Sequence, residues 1–263
     1  MKKHLVMLHG FGCDSRVFAS IGTKLSKDYD VLMVDIPGHG QTRLRQDYGG
    51  QANEIGTFFG FCAYTIGHAL DVHLKEPYHL LGWSMGGQIA LEMYKQKSIH
   101  NCKDEHCSHN PIGSLILISS TPKFVESDDF PVGMNKAVFN KFKKGLKDRT
   151  EKTMSDFYRL MFSSNEDVSV YLSSIQTQTP SLAALTECME SFELSDERDV
   201  LSKITVPTLI MTSDKDEIVS PKASMYMSQE IKNSALKIFK GAGHAPHLTR
   251  EKEVTDEISK FIG

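Results

Sequence analysis

The sequence predicts an α/β fold, a mostly parallel, doubly wound sheet with an inserted helical cap. Six short apolar runs, Leu5–Leu8, Val31–Val34, His79–Gly82, Leu115–Ile118, Thr208–Met211 and Leu236–Phe239, have the length and near-continuous apolar character of strands buried on both faces. Between them apolar residues return at helical spacing, as in Val17, Phe18, Ile21 and Leu25, and again in Ile55, Phe58, Phe59, Cys62, Ile66 and Leu70. Strands alternating with helices imply a sheet covered on both faces. That rhythm fails between Ile118 and Thr208, where helix-like patterns and turn signals occur without a clear strand. Residues 1–119 and 201–263 are therefore read as one core, and 120–200 as a helical cap inserted in it.

Composition narrows the function. The chain has 263 residues, with 30 basic against 33 acidic side chains, so no global charge draws it to nucleic acid or to an anionic membrane. The opening apolar stretch is too short for a secretory segment, and no later run reaches membrane-spanning length. The five cysteines, Cys13, Cys62, Cys102, Cys107 and Cys188, are odd in number and unpatterned, which reads as reduced thiols in a cytoplasmic protein.

Taken in order, the first strand runs into His9-Gly10-Phe11-Gly12, whose glycines allow backbone to approach a ligand closely. The third strand stops at Gly82-Trp83-Ser84-Met85-Gly86-Gly87 and resumes as a helical pattern. Gly82-x-Ser84-x-Gly86 fits a nucleophile elbow, a sharp strand-to-helix turn that exposes a serine hydroxyl, although a pattern this short also arises in ordinary glycine-rich turns. Between Lys97 and Gly113 lie His100, Cys102, His106, Cys107 and His109. Their spacing matches no usual zinc pattern, and a solvated loop is the simpler reading. In the cap, Val138, Phe139, Phe142 and Leu146 share one helical face, Phe157, Tyr158, Leu160, Met161 and Phe162 suggest a second apolar surface, and Ser173 to Pro180 reads as a loop. The fifth strand precedes Asp214-Lys215-Asp216-Glu217-Ile218-Val219, the sixth precedes Gly243-His244-Ala245-Pro246, and Val254, Ile258, Phe261 and Ile262 mark a closing helix.

A serine hydroxyl is a weak nucleophile and needs a histidine base oriented by a carboxylate. Ser84, Asp216 and His244 meet that need from three strand-end loops. Asp214 and, more remotely, Glu217 are alternative acids, and His247 is the alternative base. The backbone N–H groups of Phe11 and Met85 are the expected donors to an oxyanion. This chemistry calls for no metal and no organic cofactor. From Lys136 to Lys152 seven basic residues face only Asp148 and Glu151, on a chain of net charge −3. A solvated helix face is the usual meaning of such a run; an acidic partner docking there is the sharper one.

These motifs, with Val34-Asp35-Ile36-Pro37-Gly38-His39-Gly40 and Ser119-Ser120-Thr121-Pro122-Lys123-Phe124, resemble the α/β-hydrolase superfamily and, more closely, the pimeloyl-acyl-carrier-protein methyl ester esterases of bacterial biotin synthesis. The resemblance implies a serine carboxylesterase whose substrate is a protein-bound ester, with no role for nucleic acid or membrane. It implies that Phe11, Ser84, Met85, Phe142, Leu146 and His244 contact substrate. It also implies that the basic cap residues, here Lys141, Lys143, Lys144, Lys147 and Arg149, meet the acidic carrier protein. A less selective esterase or lactonase acting on small esters is the alternative within hydrolases. A non-catalytic binding protein of the same fold is the alternative outside them.

Overall fold

The computed structural model describes residues 2–44, 56–99, 111–175 and 180–263. Strand β1 (Lys3–Leu8) is followed by a 3-10 turn, Ser15–Phe18, whose Arg16 amide donates to the Asp14 carboxylate, and by α1 (Ala19–Leu25). Next come β2 (Tyr29–Val34), α2 (Phe58–His73), β3 (Tyr78–Trp83), α3 (Met85–Ile99) and β4 (Ile112–Ile118). Thr57 starts α2 by accepting from the Gly60 amide, as an N-cap threonine should. All six expected strands form, each within a few residues of its apolar run.

The expected break in rhythm is a run of helices, α4 (Lys136–Asp148), α5 (Thr150–Leu160), α6 (Val168–Ile175), α7 (Leu182–Leu194) and the single turn α8 (Arg198–Leu201). Asn135 caps α4 by accepting from the Ala137 and Val138 amides, and Ser181 caps α7 through the Ala184 amide. Helix α6 continues through Ile175, so the first three residues of the expected Ser173 to Pro180 loop are helical, and residues 176–179 lie outside the described residues. Ile175 is buried, and Tyr171 stacks on Phe162 at 5.6 Å, which anchors the helix that far. The chain closes with β5 (Thr208–Ser213), α9 (Pro221–Glu230), β6 (Ser234–Phe239), α10 (Pro246–Thr249) and α11 (Glu251–Ile262).

The strands form one sheet in the order β2-β1-β3-β4-β5-β6, and every pairing is parallel. The sheet is thus more uniform than the mostly parallel one expected, because a helical crossover separates each strand from the next in sequence. The three strands β3, β4 and β5 are buried almost throughout, whereas the edge strands β2 and β6 are mostly half-buried or exposed. Strand order reverses between β1 and β3, the topological switch point where ligands bind beyond the carboxyl ends of the strands.

His100, Cys102, His106, Cys107 and His109 lie outside the described residues, as does Ile55. Cys13, Cys62 and Cys188 are buried free thiols. Among the described residues no helix is long and apolar enough to cross a membrane.

Candidate active site

Register sets the site. Leu8 pairs with Gly82, so the chains leaving β1 and β3 stay abreast, and a Cβ on Gly10 would stand 3.2 Å from the Ser84 Cβ and 2.9 Å from the Trp83 ring. Ser84 has φ 55°, a left-handed conformation that non-glycine residues adopt at a cost of about 1–3 kcal/mol. The flanking glycines are steric necessities, since a Cβ on Gly82 would run into the Gly86 carbonyl and one on Gly86 into that of Leu8.

The loops after β5 and β6 meet this turn. His244 Nε2 is 2.8 Å from Ser84 Oγ, and His244 Nδ1 is 2.8 Å from Asp216 Oδ2. Both the histidine and the carboxylate side chains are fully buried. Asp216 Oδ1 accepts from the Ile218 and Val219 amides, each at 2.9 Å, so the acid is held by its own loop. With Nδ1–H donating to Asp216, the free lone pair of Nε2 faces the serine hydroxyl.

The structure brings Asp216, rather than Asp214, against the histidine. Asp214 Oδ1 instead accepts from the Gly241 amide at 2.7 Å, tying together the turns after β5 and β6, and Glu217 is exposed. His247 is packed against Trp83 and Phe18, with ring centroids 4.5 and 5.3 Å away. Burial, and then the neighbouring His244, push its pKa down to about 3, and among the described residues neither of its nitrogens has a hydrogen-bond partner. It is an apolar spacer rather than an alternative base.

The loop after β1 is held by a buried histidine. His9 Nε2 accepts from the Ile36 amide at 3.0 Å, which leaves Nδ1–H to donate to the Gly10 carbonyl at 2.9 Å. Burial lowers the His9 pKa, in keeping with this neutral tautomer. Because a trans peptide points its C=O and N–H in opposite directions, fixing the Gly10 oxygen also fixes the Phe11 N–H. Among the described residues the Phe11 and Met85 amides donate to no protein acceptor.

Ser84 opens onto a cavity lined by Phe11, Phe124, Met134, Val138, Phe142, Phe157, Leu160, Met189, Phe192 and Ile218. Among its lining residues Ser84 is the one polar side chain. Phe11 is the hub, its ring edge-on to those of Phe142, Phe157 and Phe192 at 5.5–6.0 Å. Of the residues expected to touch substrate, Phe11, Ser84 and Phe142 are on this wall, while Met85, Leu146 and His244 are buried without lining it. Leu146 follows Gly145, which abuts Thr153 so closely that a Cβ would stand 2.8 Å from its hydroxyl; this turn of α4 packs on α5 instead of on the cavity. Phe124, Met189, Phe192 and Ile218 were not anticipated as lining residues. Leu185, Met189 and Phe192 do recur at helical spacing, but the pattern alone does not say which neighbour the face meets.

The basic residues divide. Lys143 bonds Glu193 across α4 and α7 at 2.7 Å, with both side chains still more than a third exposed. Lys141, Lys144 and Lys147 lie on the outward side of α4, and Arg149 follows its last turn; all are exposed and, among the described residues, without an ion pair.

The family model for the alpha/beta hydrolase fold matches residues 3–251. The chain belongs to the α/β-hydrolase family. This hydrolase is 29% identical over 251 residues to a pimeloyl-[acyl-carrier protein] methyl ester esterase of Nitrosomonas europaea, a match spanning 93% of this chain and 90% of that one. It is 26% identical to the protein of the same name from Proteus mirabilis, across 98% and 92% of the two chains. Among solved structures, an esterase from Exiguobacterium antarcticum superposes with TM-score 0.84 at 24% identity, covering 98% of this α/β hydrolase and 91% of the other chain, a likeness of fold.

Proposed function

We propose that the protein is a serine carboxylesterase that cleaves the methyl ester of pimeloyl-acyl-carrier protein, releasing methanol and the free distal carboxylate, in the cytoplasmic synthesis of biotin. The observation that carries the reading is the apolar cavity that ends at Ser84. Such a wall accommodates a hydrocarbon chain with an uncharged ester at its tip, and it offers no cation to a carboxylate. The acid formed by hydrolysis is thus disfavoured where its ester precursor was bound. The names of the curated relatives point to the same substrate.

In this mechanism Ser84 Oγ attacks the ester carbonyl as His244 Nε2 takes its proton. The oxyanion accepts from the Phe11 and Met85 amides, and Asp216 stabilises the imidazolium. His244 then returns the proton to the departing methoxide, and water opens the acyl-enzyme by the same route. Residues 120–200 serve as the cap that closes the acyl site, and the outward lysines of α4 receive the acidic carrier.

The test is methanol release from pimeloyl-acyl-carrier-protein methyl ester by wild type and Ser84→Ala, together with restoration of biotin-independent growth to a strain lacking its own esterase. Hydrolysis surviving in Ser84→Ala would refute the mechanism. Failure to act on the carrier-bound ester, with small esters still cleaved, would favour the broader esterase or lactonase reading, to which the engagement of Lys143 by Glu193 lends some weight.

A further inference from the structure

The turn between α5 and α6 grips the loop that carries His244. Met161 O accepts from the His244 amide at 2.7 Å, and Ser163 Oγ donates to the Gly241 carbonyl at 2.8 Å. Glu166 Oε2 accepts from the Gly243 amide at 3.1 Å and from the Ser163 amide at 2.9 Å, while Oε1 faces Arg250 Nη1 at 3.4 Å. The Glu166 side chain is only 3% exposed. Within the Ser163-x-x-Glu166 motif the carboxylate turns back on the Ser163 amide, a local bond that caps no helix, since α6 begins at Val168. The bond to Gly243 is not part of that motif. It places a buried carboxylate from the cap on the peptide immediately before the histidine. Gly243 permits the nesting, since a Cβ there would stand 2.6 Å from Met161 O and 2.7 Å from Ser163 N.

We infer that Glu166 is a positioning residue, a carboxylate of the cap that fixes the His244 loop through the Gly243 amide, so that seating the cap and aligning the base are one event. The inference rests on the esterase reading given above. Of the three residues in contact, Asp216 is held by the core alone, and Ser84 by the core and by the hydroxyl of Ser120, the first cap residue, on its carbonyl at 3.1 Å. His244 is held from both sides, by Trp83 Nε1 on its carbonyl at 2.9 Å and by Met161 and Glu166 from the cap. A displacement of about 1 Å at a reacting group costs up to about a hundredfold in rate, so a modest slackening of this loop is kinetically visible.

The experiment compares Glu166→Ala and Glu166→Gln with wild type on p-nitrophenyl butyrate, an ester that needs no carrier. Glu166→Ala is expected to lower kcat by about tenfold or more with KM within about twofold, because the acyl cavity is untouched. Glutamine keeps an acceptor for Gly243 and should recover kcat to within about threefold. A kcat within twofold of wild type in the alanine variant overturns the inference, as does an equal loss in the glutamine variant. Should Glu166→Ala fail to fold, Glu166→Asp, which withdraws the carboxylate by one methylene, must lower kcat with KM retained, or the inference falls. If wild type cleaves no ester at all, the esterase reading fails. Amide exchange at Gly243 and His244 then decides the present point: protection lost in the alanine variant and kept in the glutamine variant supports it, and unchanged protection overturns it.

Discussion

The indole Nε1–H of Trp83 donates to the backbone carbonyl of His244 at 2.9 Å, and its ring lies 5.6 Å from the imidazole. The residue before the elbow serine thus holds the residue that faces the serine, across 161 positions of chain. Trp83→Phe keeps most of the buried apolar volume but strands the carbonyl. It should cost about 1–3 kcal/mol of stability by chemical denaturation, and kcat should fall more steeply than kcat of a distant core variant of equal stability. Equal losses in both variants would show that the hydrogen bond matters only for folding.

The strain at Ser84 makes a second expectation. Its left-handed φ of 55° favours glycine, so Ser84→Gly should be about 1 kcal/mol more stable than Ser84→Ala, with neither variant turning over an ester. Thermal denaturation of the pair reads the difference directly. By contrast Gly86→Ala, whose Cβ would collide with backbone, should destabilise the fold severely.

The strands were legible because their apolar runs are uninterrupted, and the serine, acid and histidine because each follows a strand end where short turn-rich loops leave few candidates. The choice between Asp214 and Asp216 rested on two residues of register, and geometry explains it: Asp216 caps the Ile218 and Val219 amides and so turns its other oxygen to His244. What sequence did not disclose are contacts between elements distant along the chain. Phe192 meets Phe11, and Lys143 meets Glu193, only because α7 returns against α4 and the core. Periodicity marks a face as apolar or charged and is silent on its partner.

The Lys143–Glu193 pair sharpens the docking expectation. Charge reversal at Lys144 and Lys147 should raise KM for the carrier-bound ester severalfold, most at low salt where the Debye length is long, and leave p-nitrophenyl butyrate turnover within about twofold. Lys143→Glu should instead set two acids against each other between α4 and α7 and lower stability by about 1 kcal/mol or less, the pair being partly exposed. Equal effects of the Lys144 and Lys147 reversals on both substrates would remove the lysine face from the reaction.

Glu197 supplies a pH dependence of known sign. It is buried where the chain re-enters the core, facing Glu92 and Lys95 of α3 and Asp199 of α8, with Lys95 Nζ 3.6 Å from Glu197 and 3.1 Å from Asp199. Burial first, and the adjacent Glu92 second, raise its pKa well above the ordinary 4.5, outweighing the pull of Lys95. Above that ordinary value the folded protein holds a proton that the unfolded chain has released. The associated stability is complete below 4.5 and is lost as pH rises toward the raised folded value, at up to about 1.4 kcal/mol per unit. Buried His9, His39 and His247, all with lowered pKa, act oppositely, weakening the fold as pH falls below about 6.5, so the wild-type profile alone mixes the two. The difference between Glu197→Gln and wild type isolates the carboxyl group. Denaturant titrations at about pH 5 and about pH 8 should find the glutamine variant gaining on wild type at the higher pH, and parallel profiles would mean that Glu197 is ionised in the folded protein.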